Sequence, residues 1–461
     1  MSVLWTSDEI AAATGGKASG PFEVSGVTFD SREVQPGDLF VAMPGTVHDG
    51  HRFVDGAFAA GAAAAIVSQP VNGPHLLVDD TFTALRALGR ASRQRSQATI
   101  LGVTGSVGKT STKEALYAAL DRNRPGKVHR SVKSYNNHTG VPLSLARMPR
   151  ETEFAVFEMG MNNAGEIRAL TAQVHPHVAL ITAIAPAHIE NLGSEEAIAD
   201  AKAEIFEGLE RGGIAIVPND SPQRDRLVRA ARRHADRIIT FGGGDADVHA
   251  VHAVAADCGG SLISAALLER ELTFTISQRG EHWVSNALAV LAAVEAVGAD
   301  VALAGLALAD LGGLKGRGQR HAVAVDGGEV LLIDESYNAN PASMAATLKS
   351  LGAEKDAVRR IAVLGPMREL GTHSSALHAG LAPAVLDAHV DRLILIGEEI
   401  RPLDEALGDR VPVDRVDSVE EATDSLRRIV RAGDAVLVKA SNSVGLAKLV
   451  ESMTKELACS T

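Results

Sequence analysis

The segment TILGVTGSVGKTSTKEALYAAL, residues 99–120, decides the architecture of the chain. A short apolar run, a glycine-rich turn and a helical stretch from Thr110 onward predict a strand, a loop and a helix. In such a loop the backbone N–H groups close around phosphate oxygens, Lys109 supplies a positive charge, and Thr110 offers its hydroxyl to Mg²⁺. Val103 stands where the strict G-x-x-x-x-G-K-[ST] pattern has its first glycine. We expect an ATP-binding loop in preference to an unliganded glycine turn.

Strand-like and helix-like segments alternate on both sides of this loop. The runs FAVFEMG (154–160) and VALITAIA (178–185) are continuously apolar, as buried parallel strands are. After the glycine-rich stretch at 311–320 the alternation restarts, with VLLIDES, RRIAVLG, DRLILIG and DAVLVKAS as strands. The pattern predicts an α/β fold of three domains. Their expected bounds are 1–95 for a small N-terminal α/β domain, 96–314 for a central parallel-sheet domain and 315–461 for a Rossmann-like domain, with a hinge near 312–318.

Composition excludes several classes of protein. The 461 residues are 46% hydrophobic and 22% charged, which is ordinary for a globular protein. The net charge of -12 argues against non-specific nucleic-acid binding. Cys258 and Cys459 form neither a metal-ligand spacing nor a disulfide framework. The N-terminus lacks the features of a signal peptide, and apolar runs such as 57–67 are too short to span a bilayer. We expect a soluble cytoplasmic protein with no membrane insertion.

Two polar side chains follow the predicted strands beside the ATP loop. Glu158 ends the strand FAVFE, and His188 comes shortly after VALITAIAP. The carboxyl ends of parallel strands are where α/β sheets hold ligands. Each residue alone is weak evidence, since a Glu at a strand end is often solvated and a lone His is often structural. Together with the loop they favour a Mg²⁺ site, although His is an unusual ligand for so hard an ion.

Lys202 raises a different question. The segment SEEAIADAKAEIFEGLE, residues 194–210, predicts one amphipathic helix whose apolar stripe contains Ile198, Ile205 and Leu209. Lys202 falls within about 40° of the centre of that stripe. One interpretation is a lysine whose stem covers the apolar face while its amine reaches water. The other is a desolvated, partly neutral amine with a chemical task.

Two more polar groups are candidates for ligand contact. His282 and Asn286 lie at i and i+4 on one face of the predicted helix EHWVSNALAVLAA, where surface polar residues are the alternative explanation. The segment LIDESYNANP, residues 332–341, ends a buried-type strand in a dense polar cluster closed by Pro341 at a helix start. Clusters of this kind at strand ends usually face a ligand, although a capped loop is possible.

Taken together, these motifs resemble those of the Mur ligases of bacterial peptidoglycan synthesis, in order and over essentially the whole chain. The segments that carry the resemblance are TGSVGKTS, YNNHTGVPLSL, FEMG, AHIENLGS, AKAEIF, GEHWVSNALA, GRGQRH and DESYNANPASM. Within the family, SYNANP, LGPMRELG and the N-terminal DSREVQPGDLFVAMPG with DGHRF point to D-alanyl-D-alanine as the incoming amine.

The resemblance implies an ATP-dependent, ADP-forming ligase that makes a C–N bond through an acyl phosphate. Its implied partners are the small molecules UDP-N-acetylmuramoyl-tripeptide and D-alanyl-D-alanine, with ATP and two Mg²⁺ ions as cofactors. It further implies that the N-terminal domain binds the UDP-muramoyl peptide, that the chain is a cytoplasmic monomer, and that Lys202 carries a carbamate. Whether the third residue of the tripeptide is meso-diaminopimelate or lysine stays open.

The resemblance also implies roles for individual residues, which we take as expectations. The catalytic set is Lys109, Glu158, His188 and Lys202, and the metal ligands are Thr110, Glu158, His188 and carbamylated Lys202. The expected ATP contacts are Thr104, Gly105, Ser106, Val107, Gly108, Lys109, Thr110, Ser111, His282, Asn286, Arg317 and Asp334. The expected substrate contacts are Ser31, Arg32, Asp49, His51, Asn136, Asn137, Thr139, Tyr337, Asn338 and Asn340.

Two departures and two alternatives accompany these expectations. Glu335 stands where an Asp is frequent, and His138 stands where an acidic residue is common. One alternative is another amide ligase of the Mur or folylpolyglutamate type, against which the SYNANP cluster argues. The other is a nucleotide-binding kinase or regulator, which would need neither a third α/β domain nor an inward lysine.

Overall fold

The computed structural model describes residues 2–45, 49–256 and 260–455. Cys258 and Cys459 lie outside the described residues, so the expectation about them has no structural counterpart. None of the described helices combines the length and the apolar character that crossing a membrane requires.

The N-terminal part is a small α/β unit. Its five-stranded sheet has the order β2-β7-β6-β5-β4, parallel except for the β2–β7 pairing, and β1 pairs with β3 separately. The elements are β1 (Trp5–Thr6), α1 (Ser7–Thr14), β2 (Lys17–Ala18), β3 (Glu23–Val24), β4 (Gly26–Thr28), β5 (Asp38–Val41), α2 (Val54–Ala59), β6 (Ala64–Val67), β7 (His75–Leu77) and α3 (Thr81–Arg95).

The central part is built on a nine-stranded sheet of order β16-β15-β14-β13-β12-β11-β8-β10-β9, in which every pairing is parallel except β14–β15 and β15–β16. Its strands are β8 (Thr99–Thr104), β9 (Val128–Arg130), β10 (Phe154–Glu158), β11 (Val178–Ile181), β12 (Ile214–Pro218), β13 (Arg237–Gly242), β14 (Val248–Ala255), β15 (Ser261–Ala266) and β16 (Glu271–Ile276). Its helices are α4 (Lys109–Asn123), α5 (Gly140–Ala146), α6 (Glu166–Val174), α7 (Ile189–Leu192), α8 (Glu195–Ala203), α9 (Arg224–Ala231), α10 (Glu281–Ala296) and α11 (Val301–Asp310).

The C-terminal part has a six-stranded sheet of order β17-β18-β22-β19-β20-β21, parallel except for the β17–β18 hairpin. Its strands are β17 (Gln319–Val325), β18 (Gly328–Glu335), β19 (Arg359–Leu364), β20 (Arg392–Ile396), β21 (Val413–Val416) and β22 (Asp434–Lys439). Its helices are α12 (Pro341–Gly352), α13 (Ser374–Ala379), α14 (Ala382–Asp387), α15 (Arg401–Leu407), α16 (Val419–Ile429) and α17 (Ala447–Lys455).

This architecture confirms the predicted three-part α/β class. The strands predicted from continuous apolar runs are parallel, and separate apolar cores cover the two faces of the central sheet. Strand β8 lies between β10 and β11, so the chain changes direction across the sheet at β8. The carboxyl ends of these three strands therefore open a crevice at the position where doubly wound sheets bind ligands.

The predicted helix over residues 194–210 is shorter than expected. Helix α8 ends at Ala203, and a 3-10 turn follows at Glu204–Gly208. The Glu204 carboxylate accepts hydrogen bonds from backbone N–H groups at the start of α6. The Thr171 hydroxyl of α6 donates a hydrogen bond to the carbonyl of Ile205. The contact with Thr171 occupies the Ile205 carbonyl, a backbone acceptor that a continuing helix would use, while the Glu204 side chain ties this turn to α6. Lys202 nevertheless lies on α8 and points inward.

Candidate active site

A cavity of about 370 Å³ separates the carboxyl edge of the central sheet from that of the C-terminal sheet. Its central wall combines the 106–111 loop with side chains from the ends of β10 and β11 and from α10. Its C-terminal wall combines residues that follow β18 with the end of β22. The polar side chains on these walls include Lys109, Thr110, Asn136, Glu158, His188, His282, Asn286, Arg317, Glu335, Tyr337, Asn338, Asn340 and Lys439.

The glycine loop is held in shape by the strand beside it. Gly108 has φ 85°, and a Cβ on Gly105 would lie 1.9 Å from the hydroxyl of Thr182, so both positions require glycine. The Ser106 hydroxyl donates to the carbonyl of Ala185 and accepts from its N–H, at 2.9 and 3.0 Å. The side chain of Ser106 therefore fixes the loop to the segment after β11, which leaves the loop N–H groups to receive an anion.

Lys109 lies at the start of α4, half-buried in the cavity wall, and its amine donates to the carbonyl of Gly105 at 2.7 Å. Burial lowers the pKa of Lys109, whereas the nearby carboxylate of Glu158 opposes that shift. A lysine in this position is a mobile point charge beside a cradle of N–H donors, as phosphate binding needs.

Glu158 ends β10 one strand away from the loop and is 1% exposed. Its Oε1 accepts a hydrogen bond from Asn136 at 2.7 Å. Its Oε2 is buried and has no hydrogen-bond partner among the residues that the structure describes. A buried carboxylate oxygen without a partner is costly unless a cation or donor satisfies it. The donor set of Glu158 and Thr110 is of the oxygen type that Mg²⁺ prefers.

His188 follows β11 and faces the C-terminal part of the chain. It adopts a left-handed conformation with φ 61°, and its Nδ1 lies 2.5 Å from Oε2 of Glu369. Glu369 also has a positive φ of 64°. Non-glycine residues are uncommon in this conformation, and such positions cluster at functional sites. The contact with His188 is the largest cause of a lowered pKa for the Glu369 carboxyl.

Lys202 is fully buried, with 0% of its surface exposed. Burial is the largest cause of a pKa far below the usual value for lysine, and the positive charge of Lys109 lowers it further. Among the described residues no carboxylate contributes to this shift. The interpretation in which the amine reaches water is therefore wrong. Lys202 is a desolvated amine, and its burial favours the neutral form over the charged one.

Helix α10 closes one end of the cavity. The Oδ1 atom of Asn286 lies 2.7 Å from where a Cβ of Gly108 would stand, so this side chain covers the glycine loop. Burial lowers the pKa of the neighbouring His282 to about 4, which keeps its ring neutral at neutral pH. Both side chains offer uncharged donors and acceptors next to the phosphate cradle, which suits a nucleotide base.

The C-terminal wall carries two further interactions. The guanidinium of Arg317 lies 4.2 Å from the ring centre of Tyr337, and stacking of this kind fixes both side chains. Lys439, at the end of β22, donates to the carbonyl of Asn338 at 3.0 Å and lies 3.4 Å from Oε2 of Glu335. Burial raises the pKa of Glu335 and lowers that of Lys439. This pair holds the polar segment after β18 against the cavity.

Asp334 is buried at 1% exposure and is not among the described residues that line the cavity. Its carboxylate accepts hydrogen bonds from the N–H of Gly316 at 2.8 Å and from the hydroxyl of Ser336 at 2.6 Å. Asp334 thereby fastens the 314–318 joint to the end of β18. It acts in this structure on the backbone beneath Arg317.

Other expected contacts also lie away from the cavity. Thr104 and Gly105 lie behind the loop, and Asn137 accepts three hydrogen bonds from Thr139 and Gly140 at the start of α5. The four N-terminal candidates lie in their own unit. Arg32 forms a bidentate pair with Asp30, while Asp49 and Ser68 hold the ring of His51; these candidates and Ser31 do not line the cavity.

Comparisons with known proteins agree with this geometry. Three family models match the chain. The model "Mur ligase family, catalytic domain" matches residues 23–122, and "Mur ligase middle domain" matches residues 103–294. The model "Mur ligase, glutamate ligase domain" matches residues 316–442. A relative from Bacillus subtilis, the UDP-N-acetylmuramoyl-tripeptide–D-alanyl-D-alanine ligase, is 34% identical over 93% of this chain and 93% of its own length. The chain belongs to the Mur ligase family.

Solved structures of similar proteins share the whole architecture of this Mur ligase. The crystal structure of MurF from Acinetobacter baumannii superposes with a TM-score of 0.84 at 29% identity, covering 98% of this chain and 99% of that one. MurF ligase from Thermotoga maritima in complex with ADP superposes with a TM-score of 0.78 at 28% identity, covering 94% and 98%. This Mur ligase is therefore an ATP-dependent enzyme that forms a C–N bond.

The cavity wall also contains Thr182 and Lys439, which sequence reasoning did not single out. Lys439, Thr182 and Lys113 received no role, although Lys439 ends a fully buried strand as Glu158 does, and that signal could have identified it. No cluster of three or more His, Cys, Asp or Glu side chains with metal-binding geometry occurs in the described part of the chain.

Proposed function

We propose that this Mur ligase uses ATP to join D-alanyl-D-alanine to UDP-N-acetylmuramoyl-tripeptide, a cytoplasmic step in making the peptidoglycan precursor. The observation that carries the proposal is the shared cavity, which is lined by the phosphate-type loop of the central part and by Tyr337, Asn338 and Asn340 of the C-terminal part. The activity named for the B. subtilis relative supports the substrate pair, and the ADP complex of the T. maritima ligase supports the nucleotide.

The reaction needs two steps, because a carboxylate cannot expel oxide at neutral pH. The tripeptide carboxylate attacks the γ-phosphorus of ATP, so a C–O–P bond forms and the bond to the β-phosphate oxygen breaks, releasing ADP. The amine of the dipeptide then attacks the acyl carbon, phosphate leaves, and the nitrogen loses a proton. Catalysis of both steps is mainly positioning and neutralisation of charge on oxygens.

The phosphates occupy the 104–111 loop in this proposal. Lys109 reaches the β- and γ-phosphates, and the loop N–H groups that Ser106 and Thr182 hold in place receive their oxygens. Arg317 approaches the same phosphates from the C-terminal side, where Asp334 supports its backbone. His282 and Asn286 meet the adenine.

The residues present fit a magnesium site. Glu158 and Thr110 would hold the first ion, which the unpartnered Oε2 of Glu158 supports, and His188 together with carbamylated Lys202 would hold a second. When bound, Mg²⁺ neutralises negative charge on the phosphate oxygens.

The proposed carbamate on Lys202 requires an amine that can react with CO₂. CO₂ adds to a neutral amine with loss of one proton, and the burial that lowers the pKa of Lys202 favours that neutral form. The product is an anion with two oxygens, which converts a costly buried amine into a group that a hard cation binds.

The remaining assignments follow the course of the substrates. The uridine end meets Ser31, Arg32, Asp49 and His51 in the N-terminal part, the muramoyl part meets Asn136, Asn137 and Thr139, and the dipeptide meets Tyr337, Asn338 and Asn340. We further propose domain bounds of 1–95, 96–314 and 315–461, and a monomeric enzyme in the cytoplasm.

One assay tests the function. The protein is incubated with ATP, Mg²⁺, UDP-muramoyl-tripeptide and D-alanyl-D-alanine, and ADP and the pentapeptide product are measured together. A parallel reaction with glutamate in place of the dipeptide tests the folylpolyglutamate-type alternative. Phosphate release that does not depend on the dipeptide, with no new amide, contradicts the proposal.

A further inference from the structure

The loop of residues 131–136 contacts the N-terminal part, the start of α4 and the end of β10. It leaves β9, places the Ser134 hydroxyl 3.5 Å from that of Thr110, and delivers Asn136 to Glu158. Lys133 within the loop pairs with Glu33 of the N-terminal part, and the hydroxyl of Tyr135 lies 3.3 Å from Oε2 of the same glutamate. The loop thus links the N-terminal part, where we propose that the UDP substrate binds, to the carboxylate of Glu158 at the cavity.

The conformation of this loop is strained at one point. Lys133 has φ 52°, in the left-handed region that non-glycine residues rarely adopt. Something in the surrounding structure must hold such a residue in place. The strain is located three residues before Asn136, so its relaxation would move the Asn136 side chain.

Lys113 supplies the restraint. It lies on α4, four residues after the phosphate-loop lysine, and 0% of its surface is exposed. Its ammonium donates to the carbonyl of Ser131 at 2.8 Å and to the carbonyl of Lys133 at 2.6 Å. Both acceptors are backbone groups of the 131–136 loop, and one belongs to the strained residue.

The charge of Lys113 is balanced away from the cavity. Its ammonium lies 2.8 Å from Oε1 of Glu114, whose Oε2 lies 2.8 Å from Nε of Arg130. A buried ammonium whose three donors are all engaged has no group left to bind a ligand. Its role must therefore be exerted through the loop.

The loop also reaches Glu158 by a second route. The buried hydroxyl of Ser131 accepts a hydrogen bond from the backbone N–H of Glu158 at 3.3 Å. Ser131 thus accepts two hydrogen bonds: its carbonyl accepts one from Lys113, and its hydroxyl accepts one from Glu158. A shift of Ser131 would displace the backbone of Glu158 directly. It would also displace the Glu158 carboxylate, through Asn136.

We propose that Lys113 is a positioning residue for ligation: its ammonium clamps the carbonyls of Ser131 and Lys133, and the clamped loop holds Asn136 and Glu158 in place for the UDP-muramoyl substrate. This inference rests on the proposed function for its kinetic part only. The clamp itself is a property of the loop and is measurable without substrates.

The test compares Lys113→Met with Arg130→Met. The second variant disturbs the same Glu114 ion pair but leaves both carbonyl contacts intact, so it controls for general loosening. In amide hydrogen exchange without substrates, we expect segment 131–137 to exchange about 10-fold faster in Lys113→Met, as expected for loss of hydrogen bonds from a charged donor, and to be unchanged in Arg130→Met. Unaltered exchange in Lys113→Met, or equal acceleration in both variants, overturns the proposal.

Kinetics add a readout that a general stability defect would not give. We expect Lys113→Met to raise the KM for UDP-muramoyl-tripeptide about 10-fold, with an unchanged KM for D-alanyl-D-alanine. An equal rise in both KM values overturns the positioning role. Absence of ligation in the unsubstituted protein instead contradicts the proposed function and leaves the exchange result to decide on the clamp.

A second variant guards against a failure to fold. Lys113→Gln keeps one amide donor at nearly the same place, so it should protect the loop to a degree between the unsubstituted protein and Lys113→Met. If Lys113→Met yields no folded protein, wild-type exchange of the loop in Lys113→Gln overturns the proposal, and faster exchange supports it.

Discussion

The Nδ1 atom of His188 lies 2.5 Å from Oε2 of Glu369, which places a carboxylate of the C-terminal part against a ring of the central part. Both residues have a positive φ, although neither is glycine. The backbone segments that carry these two residues also approach each other, because the N–H of Glu190 donates to the carbonyl of Glu369 at 3.5 Å. A carboxylate that contacts a His ring fixes the orientation of that ring, as such groups do for metal-binding histidines.

Glu369→Ala should therefore weaken the use of Mg²⁺. We expect the Mg²⁺ concentration for half-maximal ligation to rise about 10-fold, because the ring of His188 loses its orienting partner. Titration of activity with Mg²⁺ measures this effect. Glu399→Ala is the control, since that carboxylate pairs with Arg368 instead. A shared shift in both variants would show that His188 is not involved.

Lys202→Ala should abolish ligation and leave the fold intact. The substitution removes the amine that we propose to carry a carbamate, and a small side chain in its place leaves room for an added ligand. Short carboxylates such as formate or acetate should then restore part of the activity. Near-normal turnover in Lys202→Ala would contradict the proposed role.

The carbamate itself is open to direct observation. Protein equilibrated with ¹³C-bicarbonate should give one carbamate carbon signal that is missing from Lys202→Ala, because burial lowers the pKa of this amine. A signal of equal intensity in the variant would assign the carbamate to another lysine.

Glu158→Gln should lower kcat by about 10²–10³, since it removes a charge that we propose to stabilise the metal and phosphate oxygens. Asn136→Ala should have a smaller effect, because it removes the hydrogen bond to Oε1 but leaves the charge of Glu158 in place. Calorimetric titration with Mg²⁺ and a non-hydrolysable ATP analogue separates binding from chemistry. Glu166→Gln is the matched control, since that carboxylate accepts hydrogen bonds from Asn162 and Asn163 instead. Unimpaired metal binding in Glu158→Gln would exclude the site.

Stability should fall as the pH is lowered, with His129 as one cause. Burial lowers the pKa of His129 to about 4, and its Nε2 lies 2.8 Å from the carbonyl of Ser144. The unfolded chain binds this proton near pH 6.5 and the folded chain only near pH 4, so the free energy of unfolding decreases between these values and levels off below them.

Protonation of this ring should lower the free energy of unfolding by about 2 kcal/mol. This is less than the full pKa shift would give, because part of the ring is exposed to water. Denaturant unfolding of the protein and of His129→Gln at neutral and acidic pH measures it. We expect the substituted protein to lose less stability on acidification than the unsubstituted one. Parallel pH curves would assign the effect to other groups.

Closure of the cavity should depend on both substrates. Because the phosphate loop and the SYNAN segment come from different sheets, we expect the C-terminal part to rotate about residues near 312–318 when ATP and the UDP substrate bind. Small-angle scattering with and without a non-hydrolysable ATP analogue and the UDP substrate measures the change. Identical profiles would count against a rotation.

The sequence alone supplied the class of fold and much of the site. The glycine loop, the apolar strands and the polar segment after β18 are local patterns, and local patterns follow from backbone geometry and the burial of strands and helices. The inward direction of Lys202 was also readable, because one turn of helix determines which face a residue occupies. The length of that helix was not readable, since contacts of Glu204 and Ile205 with α6 end it.

What only the tertiary structure decided is which distant groups meet. Ser106, Asn137 and Asp334 have side chains of the right type for ligands, yet the structure engages each of them with backbone groups. Glu335 and Lys439 become neighbours because β18 and β22 pair in register, and Lys113 meets its carbonyls because α4 packs beneath the 131–136 loop. Periodicity along the chain carries no information on such meetings, since they depend on the order and register of strands that are far apart in sequence.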